Sequence, residues 1–204
     1  MTCISPNEIG KRYDKIANHF ECKRSLTTGL DYIDRFFSLL SSKSKNYTVL
    51  DIGCGTGIPL TKYLISNGAE VTGLDISIEM LKKAKKKMPN GNFIRADITK
   101  FEINTKYDGI LAWDSLFHIP IKNQEKTIKK IIGLLKKKGI FIFTTGEEYG
   151  ELVSEMFGQQ FYYSSLSNSK YEDILLESNC QIIINELDDP SSKGHRVICC
   201  KKLN

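Results

Sequence analysis

The sequence predicts a doubly wound α/β fold, an open sheet with helices on both faces. Three observations carry that prediction. From residue 47 onward, apolar segments of strand length alternate with amphipathic segments long enough to be crossover helices, the pattern of a parallel sheet. The strand segments are almost continuously apolar, as strands covered on both faces must be. The first of them runs straight into Gly53-Cys54-Gly55-Thr56-Gly57. Glycines at every second position of a turn allow positive φ, or a close approach of the backbone to something else.

Taken in order, Ile9, Tyr13, Ile16, Ala17 and Phe20 recur at helical spacing within residues 8–22. Leu26, Leu30, Ile33, Phe37 and Leu40 do the same within 26–40. These give two helices ahead of the first strand, joined to it by a polar segment that starts at Ser41. The first strand is Tyr47–Ile52. A helix begins near Pro59, which suits a first turn because it needs no N–H partner, and ends at Gly68. Ala69–Leu74 is the second strand, closed by Asp75. Ser77 then caps a helix with Glu79 in its first turn. That helix turns Met80, Leu81, Ala84 and Met88 inward and breaks at Pro89-Asn90-Gly91. Asn92–Ala96, ending at Asp97, is the third strand and Asp108–Trp113 the fourth. A helix over Asn123–Lys137 with Ile128, Ile131, Ile132 and Leu135 inward leads through Lys138-Gly139 to the fifth strand, Ile140–Thr144. A short helix starts near Glu151 and another spans Tyr171–Ser178. Cys180–Leu187 and His195–Lys201 are two further strands, and the short joint DDPSSKG makes them antiparallel neighbours. The chain reads as one domain over 1–204: the two helices of 1–42 form a lid, and 47–204 form the core.

Composition bounds the function. With 204 residues, 41% hydrophobic and 26% charged, the chain suits one globular core. No run approaches 18 apolar residues, so no membrane span is expected. The start, MTCISPNEIGKRYD, has neither the apolar stretch of a signal peptide nor the composition of a transit peptide. None of the six cysteines forms a CxxC pair, and no His/Cys cluster has metal-ligand spacing. This predicts no metal, and free thiols in a cytoplasmic protein. The net charge is +5, and residues 82–87 (KKAKKK) hold five lysines. They are read as the solvated face of the helix, with a nucleic-acid contact as the competing reading.

The glycine turn admits three ligands. A phosphate loop needs Gly-Lys-Ser/Thr, but Ile58-Pro59 follow Gly57. A dinucleotide fingerprint needs a glycine where Ile58 stands. The third candidate is a nucleoside with a small polar tail and no pyrophosphate. Asp75 bears on the choice because it ends the next strand, where a carboxylate can accept both hydrogens of a ribose diol; it can also cap a helix. Asp51 can face a ligand ammonium or stabilise the turn.

DIGCGTG, LDIS, RADI and the FTTG strand after Lys138-Gly139 together resemble the class I S-adenosylmethionine-dependent methyltransferase family, from about Tyr47 to Thr145. WDSLFHIP, TTGEEYGE and GHRV resemble its small stand-alone members. The resemblance implies a Rossmann-like seven-stranded sheet of order 3-2-1-4-5-7-6 with the last strand antiparallel, and S-adenosyl-L-methionine as cofactor. It places Gly53, Cys54, Gly55 and Gly57 under the methionine moiety and Asp75 on the ribose. It packs Ile76 on the adenine, with Asp97 at the adenine amino group and the Ile98 backbone at the ring nitrogen. Asp51 and Trp113 then lie by the methionine, and Tyr13 closes over its carboxylate.

Methyl transfer from a sulfonium needs alignment more than covalent help, and a base only where the acceptor loses a proton. His118 and Asp114, past the fourth strand, His195 at the start of the last strand, and Glu147 after the fifth are the candidate catalytic residues. Glu147, Glu148 and Tyr149 suit a small polar or cationic acceptor, and the aromatic run Phe157–Tyr163 can wall its pocket. The expected function is methyl transfer to an oxygen or nitrogen of a small molecule, without nucleic-acid or membrane partners. An RNA or tRNA methyltransferase, a non-catalytic cofactor-binding partner protein and a nicotinamide-dependent oxidoreductase are the alternatives.

Overall fold

A computed structural model describes residues 4–40, 46–188 and 194–204. Most of the polar segment from Ser41 and most of the DDPSSKG joint lie outside the described residues. The strands are β1 (Thr48–Ile52), β2 (Glu70–Asp75), β3 (Asn92–Arg95), β4 (Tyr107–Ala112), β5 (Leu135–Thr145), β6 (Gly150–Met156), β7 (Gln159–Ser165), β8 (Cys180–Asp188) and β9 (His195–Lys202). The helices are α1 (Pro6–Lys23), α2 (Leu30–Leu39), α3 (Leu60–Ser66), α4 (Ile78–Lys87), α5 (Ile121–Gly133) and α6 (Asn168–Glu177). No helix of the described residues is long and apolar enough to cross a membrane.

Seven strands form one sheet in the order β3-β2-β1-β4-β5-β9-β8. The first five are parallel, and β9 runs antiparallel to both β5 and β8. This is the expected order, renumbered because β6 and β7 intervene. Side chains alternate between the faces. Phe141 and Phe143 pack with Ile128, Ile131 and Ile132 of α5 and with Ile174 of α6. Ile140 and Ile142 face Ile33 and Phe36 of α2 and Leu64 of α3. Adjacent Cys199 and Cys200 divide between these two cores, and both are free thiols.

Three elements depart from the sequence expectation. The second helix starts at Leu30 rather than near Leu26, which is 70% exposed. Gly29 (φ +75) breaks the chain just before it, and a Cβ there would lie 2.8 Å from the Trp113 ring, so the bend must pass close to the indole. The helix over 123–137 ends at Gly133, and β5 takes Leu135 into register with Tyr107. The three lysines 136–138 stay exposed on the strand side of that boundary. No helix forms near Glu151. Residues 150–165 make a separate antiparallel hairpin, β6–β7, turned by Phe157 (φ 51) and Gly158 (φ 74), the two-residue geometry whose twist matches the strands. Its inner residues Phe161 and Tyr162 pack on Ile9 and Ile16 of α1.

A buried polar network anchors this hairpin to the sheet. The Tyr171 hydroxyl donates to Gln124 Oε1 (2.7 Å) and accepts from Thr145 Oγ1 (2.7 Å) and the Leu166 N–H (3.1 Å). Gln124 Nε2 in turn donates to the Ser164 carbonyl and Oγ, each at 2.9 Å. Tyr171→Phe removes the hub and strands buried partners, each of which costs ~1–3 kcal/mol. Urea unfolding should show a loss of ~2–3 kcal/mol with an unchanged m-value; a loss below ~0.5 kcal/mol contradicts the network.

Candidate functional site

A cleft opens at the carboxyl ends of β1, β2, β3 and β4 and is roofed by α1. It encloses about 1060 Å³ of space including its open mouth. All eleven positions expected to hold cofactor line it: Tyr13, Asp51, Gly53, Cys54, Gly55, Gly57, Asp75, Ile76, Asp97, Ile98 and Trp113. Asp114 and His118 line it too.

The floor is the turn after β1. Gly53 (φ +74) bends under Ser115, where a Cβ would meet the Ser115 Cβ at 2.3 Å. The Gly53 and Cys54 N–H groups donate to the Leu74 carbonyl at 2.7 and 3.1 Å, tying the turn to β2. Gly55 (φ +55) has open space where its Cβ would stand, so bare backbone borders the cleft. Asp75 locks the turn to the next helix. Its Oδ2 accepts the Gly55 N–H and its Oδ1 the Ser77 N–H, each at 2.8 Å. Burial raises the Asp75 pKa against these bonds, and each oxygen keeps a lone pair for a further donor.

Asp51, 3% exposed, accepts from Thr61 Oγ1 at 2.5 Å. Burial outweighs that bond and lifts its carboxyl from the ordinary 3.8 to about 7. Asp97 uses Oδ1 on the Thr99 N–H and hydroxyl, so it stabilises its own turn as well as lining the cleft. Trp113 is 4% exposed and its buried Nε1 has no acceptor among the described residues.

Helix α1 is clasped at several points. Asp14 Oδ1 accepts the Ser77 hydroxyl (2.6 Å) and the Glu79 N–H (3.0 Å), capping α4 from across the cleft. Glu21 pairs with Lys83 and Lys87 of α4, so part of the lysine run faces α1. Tyr13 Oη lies 2.8 Å from His118 Nε2. Arg24, just past the helix, pairs with Asp114 Oδ2 at 2.9 Å. The second N-terminal helix, α2, packs its buried face against the sheet instead, and among the described residues of the two helices it is α1 that lines the cleft.

Asp114 gathers groups from distant parts of the chain. Its Oδ1 meets His195 Nδ1 at 3.1 Å and the Thr144 hydroxyl at 3.3 Å. Burial disfavours its charge, but the His195 hydrogen bond and Arg24 overcome this and hold its carboxyl below the ordinary range. Thus the structure pairs Asp114 with His195, with the Phe117 ring packed between His195 and His118; Asp114 and His118 line the cleft, whereas His195 lies behind Asp114, outside its lining. Glu147 is exposed and lies outside the cleft lining, as do Glu148 and Tyr149: the chain leaves β5 into the hairpin and carries them to solvent. Sequence reasoning missed Asp14 and Arg24. Nothing local marks either, because a helix acid and a basic residue after a helix end are ordinary, and only the tertiary fold gives them partners.

A pH test follows from Asp51. The folded protein keeps this proton between ~pH 4 and ~pH 7, where the unfolded chain has released it. Its contribution to stability is therefore full below ~pH 4 and lost as pH rises through ~7. Relative to Asp51→Asn, the wild-type melting temperature should fall as pH is raised from ~5 to ~8; parallel curves reject the assignment.

Residues 49–139 match the sequence profile of a family described as a methyltransferase domain. The malonyl-[acyl-carrier protein] O-methyltransferase of Acetivibrio thermocellus is 34% identical over 139 residues, 66% of this chain and 45% of that protein. The carboxy-S-adenosyl-L-methionine synthase of Campylobacter fetus is 28% identical over 82% of this chain and 74% of its own length. This chain spans about half the length of most of the first curated relatives it matches. A crystal structure of an S-adenosylmethionine-dependent methyltransferase from Clostridium acetobutylicum superposes with a TM-score of 0.71 at 19% identity, covering 97% of this chain and 99% of that one; that likeness is one of fold.

Proposed function

We propose that the chain is a class I S-adenosylmethionine-dependent methyltransferase, a reading supported by the methyltransferase-domain match over residues 49–139, and that it transfers a methyl group from S-adenosyl-L-methionine to an oxygen or nitrogen of a small-molecule acceptor. The observation that carries the reading is Asp75. Its carboxylate is fixed by the Gly55 and Ser77 N–H groups at the tip of β2 and keeps lone pairs for the two hydroxyls of a ribose.

The lining fits such a nucleoside. Gly55 leaves room for the methionine portion, because its missing side chain faces open space. Asp51 is a buried acid lifted to about 7; a ligand ammonium beside it would favour its charged form. Ile76 and Ile98 supply apolar walls for the adenine, and Asp97 Oδ2 has no protein partner among the described residues, which suits an exocyclic amine. Trp113 forms the wall beyond β4.

When bound, the cofactor supplies a methyl group on a sulfonium whose leaving group is neutral. The protein then has to exclude water and align the acceptor, a contribution of up to ~7–11 kcal/mol in favourable cases. Helix α1, held by Asp14 and Glu21, closes the cleft over the reacting groups. Asp114 is kept ionised at the acceptor end and orients an acceptor hydroxyl or amine. His195 gives its Nδ1 side to Asp114 and can take an acceptor proton on Nε2. A cleft roofed in this way, with Lys83 and Lys87 engaged by Glu21, suits a small acceptor better than a nucleic acid.

Calorimetry tests the premise. The wild type should bind S-adenosylmethionine, and Asp75→Ala should bind it at least ~tenfold more weakly because charge-assisted hydrogen bonds are lost. Circular dichroism would check that the variant is folded. Unchanged affinity in a folded variant rejects the site. Incubation with methyl-labelled cofactor and fractionated cell extract should then label a small molecule; label in RNA would overturn the acceptor class.

A further inference from the structure

The two edges of the β6–β7 hairpin are finished differently. On β7, alternate carbonyls turn away from β6, and each meets a side chain of another element. The Gln160 carbonyl accepts from Arg12 of α1, the Tyr162 carbonyl from His118 Nδ1 at 2.8 Å, and the Ser164 carbonyl from Gln124 Nε2 of α5 at 2.9 Å. A carbonyl only accepts, so His118 carries its ring hydrogen on Nδ1. The ladder partners of these three β7 residues are Glu155, Val153 and Glu151. In an antiparallel ladder both members of such a pair turn their backbone groups away from each other. The N–H and C=O groups of Glu151, Val153 and Glu155 therefore line the outer edge of β6. No further strand pairs there, and none of the described residues hydrogen-bonds to those groups.

Sheet edges are usually guarded by lysine, proline or a bulge. Strand β6 holds no lysine and no proline, and its pairing with β7 runs from Gly150 to Met156 without a register shift. Only its glutamates guard it, and they select what can dock. Residues 139–169 contain Glu147, Glu148, Glu151 and Glu155 but no lysine or arginine, in a chain of net charge +5. Glu151 and Glu155 are exposed and share one face of the strand with Val153 between them; Glu151 also accepts from the Tyr162 hydroxyl. A second copy pairing antiparallel about Val153 would set Glu151 opposite Glu155 twice, and like charges directly opposite destabilise a ladder. A strand with cations at those two places and an apolar residue between them is complementary in backbone and in charge.

We propose that β6 is a docking edge for an extended basic segment of another protein, which joins the hairpin as a third strand. No residue of Gly150–Met156 lines the cleft, so this inference stands apart from the cofactor reading.

The probe is a blocked peptide, Thr-Lys-Thr-Val-Thr-Lys-Thr, titrated into the nitrogen-15-labelled full chain. The amide signals of Glu151, Val153 and Glu155 should shift saturably and exchange more slowly. The same peptide with glutamate in place of lysine should leave them unmoved. Val153→Pro removes an outward N–H and no ladder bond, so the fold is kept, and peptide affinity should fall at least ~fivefold, the worth of one lost hydrogen bond. Glu151→Lys combined with Glu155→Lys leaves the edge backbone intact and should reverse the preference between the two peptides by about tenfold; it decides the matter if the proline variant fails to fold. Affinity for S-adenosylmethionine should be unchanged in every folded variant, whatever its value in the wild type. Unmoved edge amides, equal binding of the two peptides, or variants that bind like the wild type overturn the proposal. So does self-association of the wild type that Val153→Pro abolishes, because the occupant is then a second copy.

Discussion

The site depends on one carboxylate held by two backbone N–H groups. Asp75 joins the turn after β1, through Gly55, to the start of α4, through Ser77. Without an acceptor there, two N–H groups at a semi-buried junction would lose their partners, at ~1–3 kcal/mol for each that stayed buried. The same bonds position the oxygens assigned to the ligand sugar. On the proposed reading, the side chain that holds this junction also meets the ligand sugar, so the bonds that fix the loop would preorganise the site.

Around this junction the protein builds outward in layers of decreasing regularity. The sheet faces are closed by aliphatic and aromatic packing from α2, α3, α5 and α6. The roof is different in kind. It rests on a small apolar cluster with the hairpin and on polar clasps from Asp14, Tyr13, Glu21 and Arg24. These part-buried polar contacts are few and discrete, in contrast to the continuous apolar packing that closes the sheet faces.

The sheet order and the cleft floor were legible because their signals are local. DIGCGTG needs its glycines for φ, and an acid at the end of the next strand has few places to be except the cleft. All eleven residues expected around the cofactor line it for that reason. The hairpin β6–β7 was not legible as a hairpin. Its turn uses Phe157 at positive φ before Gly158, where asparagine or aspartate would have given the usual signal. Glu147 looked like an acceptor-side acid because it follows β5, but the hairpin carries it outward. The partners of Asp114 were partly legible: His195 and Asp114 were both candidates, whereas Arg24 had no motif and meets Asp114 only because α1 folds back over the strand ends. His118 was a candidate whose local sequence said nothing of the Tyr162 carbonyl that fixes its tautomer.

Asp14 caps α4 although it belongs to α1. A helix end normally closes with a residue of its own chain segment, as Ser77 also does here for the Met80 N–H. Borrowing the second cap from the roof means that displacing the roof frays its neighbour. The start of α4 and the cover of the cleft are therefore one mechanical unit, joined at the Ser77 hydroxyl and the Glu79 N–H.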